Sequence, residues 1–121
     1  MRKAWCILTL TVMLGAAGCA NYNTINAGVH EPESNNQAVM DLLAQAKQNN
    51  EYGEYALAES ALERALRIEP RNPYLWFELA VVHKWQGQSS QAKSFAQRAR
   101  SYASTDKMRA QIDRFIDNLV I

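Results

Sequence analysis

The chain repeats itself at a spacing of 34 residues. Val39–Asn72 laid over Pro73–Asp106 returns the identical pairs Ala46/Ala80, Gly53/Gly87, Ala58/Ala92, Ser60/Ser94, Arg64/Arg98 and Ala65/Ala99. Apart from one arginine pair, the shared residues are small ones and a glycine. Alanines recurring at fixed places allow two helices to approach closely, and a glycine between them lets the chain turn. A period of this length marks a stacked array, in which each unit buries its apolar face only against its neighbours.

The local signals agree with helices. From Gln37 onward, proline and glycine fall between the apolar runs and not inside them. In "RNPYLWFELAVVHKWQGQ", Asn72 is a good N-cap. Pro73 suits the first helical position, where a missing N–H costs nothing, and Gly87 is a natural stop. The spacing predicts two helical hairpins. A further run carries Met108, Ile112, Phe115, Ile116 and Leu119 three and four residues apart, which makes one apolar stripe. Arg109, Asp113, Arg114 and Asp117 lie largely off it. We expect a last helix over 106–120 that departs from the repeat's register and caps the end of the array, as solenoids need for solubility.

These residues resemble the tetratricopeptide repeat family, whose unit is a helix pair of this length. In the second repeat Trp76, Leu79, Ala80, Gly87, Ala92 and Ala99 stand at family positions. In the first, Leu42, Ala46, Gly53, Ala58, Leu62, Ala65 and Pro70 do. Gln45, Asn49, His83 and Ser104 depart from the usual residues. The resemblance implies an all-α fold over 37–121, with two repeats and a capping helix. Trp76 and Leu79 would fill the space between units, and loss of a buried Trp side chain costs about 3–5 kcal/mol. On that placement Trp76→Ala would unfold the domain near body temperature. Two repeats and one helix is a small array, and a homodimer would help stabilise it.

The N-terminal residues have another character. Arg2 and Lys3 precede a short apolar run, Ala4–Ala17, and small residues follow, the pattern of a secretory signal over 1–18. The run is shorter than the ~20 residues that span a bilayer. Ala16-Ala17-Gly18-Cys19 resembles a bacterial lipobox. The resemblance implies cleavage before Cys19 and its modification by acyl chains such as palmitate. At about 0.8 kcal/mol per buried CH2, several chains anchor a protein durably. Ala20, in place of the Asp that retains such lipoproteins in the inner membrane, implies the periplasmic side of the outer membrane. Residues 19–36 are rich in Asn, contain Gly28 and Pro32, and show no period. They read as a flexible tether with a span on the order of 20–25 Å.

Composition narrows the function. The chain has 13 basic and 12 acidic side chains, so nucleic acid, which needs a basic excess, is not an expected partner. Both cysteines, Cys6 and Cys19, lie near the start, so the repeat region has no thiol chemistry. His83 is the one histidine from Gln37 onward, and its place suits packing better than base catalysis. Glu59 and Glu63 are one turn apart, as solvated carboxylates commonly are. No metal spacing, phosphate loop or nucleophile motif is present, so we expect no enzyme, no cofactor and no metal site.

The resemblance implies binding instead. In the family the first helix of each pair lines a concave face that grips a peptide or a partner helix. Its contact positions fall on Tyr74, Phe77, Val81, Lys84 and Trp85 in the second repeat, and on Met40, Leu43, Lys47, Asn50 and Glu51 in the first. Aromatic anchors bury much area at small entropy cost. We therefore expect a protein partner at Tyr74, Phe77, Lys84, Trp85, Lys47 and Leu43. The alternative is that the last helix folds over this face and turns Phe77 and Val81 into core. Small repeat lipoproteins of this kind resemble activators of bifunctional penicillin-binding proteins, and also pilus-assembly pilotins and protease adaptors. A structural, self-associating part of an envelope complex is the rival reading.

Overall fold

In the computed structural model, residues 32–120 are described. The signal segment, Cys19 and most of the expected tether lie outside them. Five helices follow one another: α1 (Gln37–Glu51), α2 (Tyr55–Ile68), α3 (Pro73–Trp85), α4 (Ser89–Tyr102) and α5 (Asp106–Asp117). The expected all-α array of two hairpins and a last helix is what the chain forms.

Three of the helices start on side-chain caps. The Asn36 carboxamide oxygen accepts from the backbone N–H groups of Ala38 and Val39. Asn72 does the same for Tyr74, with Pro73 at the first helical position, and the Thr105 hydroxyl accepts from Met108. Each cap satisfies donors that a helix leaves unpaired at its start. The starts of α2 and α4 have no such cap. Their position is set by the turn before them. Gly53 and Gly87 take φ of +74° and +77°, the left-handed region that favours glycine. In both turns the residue after the glycine reaches back to a helix carbonyl, Glu54 to Asn49 and Gln88 to His83.

Within each hairpin the helices pack closely, α1 on α2 and α3 on α4. Alanines make the approach possible. Ala46 faces Ala58, Ala61 and Ala65 in a core that also holds Val39, Leu43 and Leu62, and α3 adds Leu75, Leu79 and Val82. The second core joins Ala80, Ala96, Ala99 and Ala103 to Met108 and Ile112 of α5. α5 is therefore fastened to the second hairpin. Arg100 Nε–H and an Nη–H donate to the two Asp113 carboxylate oxygens at 2.6 and 3.2 Å, and Arg109 donates to the Ala103 carbonyl at 2.7 Å.

Two expected features differ. The last helix ends at Asp117 with Asn118 as its C-cap, not at 120, and Val120 is exposed. The side chains agree: Met108 and Ile112 are buried, Phe115 and Ile116 pack half-buried on the second core, and no residue after Ile116 joins it. Trp76 is half-buried and not enclosed between units. Its indole N–H donates to the Pro70 carbonyl at 2.9 Å, and its ring lies 6.0 Å from Phe95 of α4.

Candidate interaction face on α1 and α3

Tyr74, Glu78, Val81 and Trp85 recur along α3 at spacings of four, three and four, so they share one stripe. Phe77 and Lys84, seven residues apart, form the adjacent stripe. The two stripes meet different fates. Phe77 packs edge-on against Phe115 of α5, ring centroids 5.1 Å apart at 69°. The Lys84 ammonium stands 5.3 Å from the centre of the same Phe115 ring. Such cation–π contacts are worth about 0.5–1 kcal/mol at exposed sites. Trp85 remains 63% exposed, which is a large apolar surface to leave in water.

Leu43 does not belong to this face. It is 1% exposed and sits in the first core. The repeat explains why. Leu43 and Phe77 hold the same place in the two units, 34 residues apart. That place looks toward the next first helix along the array, so α3 buries Leu43 and α5 half-buries Phe77. The expected partner contacts at Leu43 and, in large part, at Phe77 are internal packing. The last helix thus covers one stripe of α3 and leaves the Trp85 end open.

Lys47 is on the face but already engaged. Its ammonium lies 2.8 Å from the Glu33 carboxylate. Glu33 and Ser34 belong to the stretch expected to be a structureless tether, yet they are attached to the helices. The Glu33 carbonyl accepts from Asn72 Nδ2 at 2.8 Å, and the Ser34 hydroxyl donates to Glu69 Oε1 at 2.6 Å. Glu78 lies close by. Burial pushes its carboxyl above the ordinary value, the Lys47 ammonium draws it back down, and the Glu33 and Glu51 carboxylates push it up again. Sequence reasoning missed Glu33 and Glu78. Four charges at 33, 47, 51 and 78 have no common spacing in the chain, so only the fold brings them together.

A second groove of about 490 Å3 runs on another side, lined by Glu59, Glu63, Leu66, Arg67, Trp76, Leu79 and Phe95. Arg98 lies 4.8 Å over the Trp76 ring. His83 is buried beside Phe95: it is 5% exposed, its ring is 4.8 Å from that of Phe95, and Nδ1 is 2.5 Å from Gln88 Oε1. The gap from His83 Nε2 to Glu59 Oε1 is 3.5 Å, too long for a good hydrogen bond, so this nitrogen has none.

Among the described residues, no three His, Cys, Asp or Glu side chains gather as a metal site would require, and no helix is long and apolar enough to cross a membrane. A family model described as Tetratricopeptide repeat matches residues 50–111, just over half of the chain. No curated protein and no solved structure matches.

Proposed function

The chain belongs to the tetratricopeptide repeat family, and from that premise we propose that it is a lipid-anchored binding module of a Gram-negative envelope. The family's fold points to a protein partner. Cys19 carries the lipid, residues after it provide reach, and the domain faces the periplasm from the outer membrane. The protein acts by binding and not by catalysis, as an adaptor or regulator of an envelope assembly. Activation of a cell-wall synthase is the leading role; pilotin-like assembly and self-association within a structural complex are the alternatives.

Exposed Trp85 carries the reading. A folded domain with small, close-packed alanine cores has buried the other three aromatic side chains of α3, Tyr74, Trp76 and Phe77, at least in part, yet keeps this indole outside. Exposed aromatic side chains make effective interface anchors. Tyr74, Lys84 and Trp85 therefore remain as partner residues, with Lys47 conditional on what holds it.

Two experiments test this. Labelling cells with an alkyne palmitate analogue should mark the native chain and not a Cys19→Ser variant; equal marking would overturn the anchor. A photo-reactive amino acid in place of Trp85 should capture an envelope protein in cells. Capture of the chain alone, by a variant shown to be folded, would overturn the partner face.

A further inference from the structure

Residues 32–34 are attached to α1 and α3 in the manner of a bound peptide. One backbone carbonyl, one carboxylate and one hydroxyl are each held by a different element. Asn72 Nδ2 takes the Glu33 carbonyl, Lys47 of α1 takes the Glu33 carboxylate, and Glu69 after α2 accepts the Ser34 hydroxyl. Main-chain contact plus side-chain contact is how extended segments are recognised. Pro32 and Glu33 also border a depression of about 370 Å3, whose other walls include Arg71, Asn72, Tyr74 and Tyr102. The depression therefore continues past the attached residues toward Tyr74, on the proposed partner stripe.

The attachment is weak by construction. Lys47 and Glu33 are 42% and 33% exposed, and ion pairs in that condition hold loosely. The Glu33 and Glu51 carboxylates both act on that of Glu78, and Lys47 is the cation that opposes them there. Asn72 Nδ2 divides its donation between the Glu33 carbonyl and Glu69 Oε2 at 2.7 Å. Its oxygen is committed to capping α3. Release of the segment leaves the side-chain caps of Asn36 and Asn72 and both cores in place, gives up the 2.9 Å bond from Asn36 N–H to the Ser34 hydroxyl, and frees one ammonium and one amide N–H at a single place.

We propose that this place is a subsite for an extended acidic segment of a protein partner, filled in cis by residues 32–34 until the partner displaces them. The proposal rests on the partner-binding reading above and adds the chemistry of the ligand: a carboxylate for Lys47, with its own residue's backbone carbonyl for Asn72. It also makes the chain's own N-terminal segment a competitor for its partner.

The probe is a synthetic peptide of sequence VHEPESNN, copying residues 29–36. It is titrated into the full chain in detergent micelles and followed by 15N NMR. Binding is compared between the native chain and a Glu33→Gln, Ser34→Ala variant with an unchanged melting temperature. The variant should bind with a Kd at least about tenfold below that of the native chain, because the tethered segment no longer competes at its high effective concentration. Shifts should centre on Lys47, the Asn72 side-chain amide and Tyr74. A peptide with Gln in place of its second Glu should lose binding, and Lys47→Met should abolish it in both backgrounds. Equal affinity for native chain and variant, or no shift at these residues, overturns the proposal. Crosslinking from position 85 is independent of this place. An envelope partner captured there beside a failed titration would leave the partner-binding reading standing and remove the acidic subsite.

Discussion

Glu78 shows what a single side chain can reveal about this domain. Its folded carboxyl titrates above the ordinary value of 4.5, with burial as the largest cause. A raised carboxyl means that the folded chain holds its proton more tightly than the unfolded chain. Stability is then greatest below the ordinary value and falls as pH rises through the folded one. Glu78→Gln should therefore melt higher than the native chain at pH 7, and the advantage should vanish near pH 4. A variant that melts lower at pH 7 would mean that the charge is needed, for instance as a partner for Lys47. Trp76 makes the opposite point. Its 34-residue repeat position suggested full enclosure, but the ring is half-buried, stacked on Phe95 and covered on one side by Arg98. Trp76→Ala should cost about 2 kcal/mol, less than the range for fully buried aromatic residues. Thermal melting would show a shifted but cooperative transition; complete loss of folding at 37 °C would restore the fully enclosed placement.

At the scale of elements, the sequence was most legible where backbone chemistry is local. Asn72-Pro73 and Gly87 bracket α3 because capping, a fixed φ and a left-handed turn are decided by the residues themselves. The far end of α5 was harder to read. Its apolar stripe runs on to Leu119, but full burial stops at Ile112, the packing on the second core ends with half-buried Phe115 and Ile116, and the helix ends one residue later. Leu43 was misplaced for a related reason. Family position identifies a side chain's direction, while its neighbour along the array decides whether that direction meets water or another helix. α3 supplies the neighbour in the first unit and α5 in the second. Phe115 is then the residue that gives α5 its hold on α3, through Phe77 and Lys84. Phe115→Ala should raise hydrogen exchange across α5 by at least about tenfold and leave α1 and α2 protected. Uniform protection loss in all five helices would show that α5 is part of one cooperative unit.

Over the described domain, the two ends of the array are not alike. α5 closes the end after the second hairpin with Met108 and Ile112. At the other end, Ala38, Leu42 and Ile68 border an open depression together with Asp41, Arg64 and Arg67. Between the ends, the α1/α3 face has one stripe under α5, one place taken by residues 32–34, and an exposed indole at Trp85. The fold was legible because the repeat states it twice. The face was legible only in part, since its occupancy depends on Glu33 and Phe115, which lie outside both repeats and keep no register with them. The central claim is that the open part of this face holds a protein of the envelope. In-cell photo-crosslinking from position 85, compared with position 57 on α2, tests it most directly, because Leu57 is also 56% exposed but lies off the face. A specific envelope protein captured from position 85 and absent from position 57 is the expected result. The same adducts from both positions, or self-adducts alone from a folded chain, would contradict it.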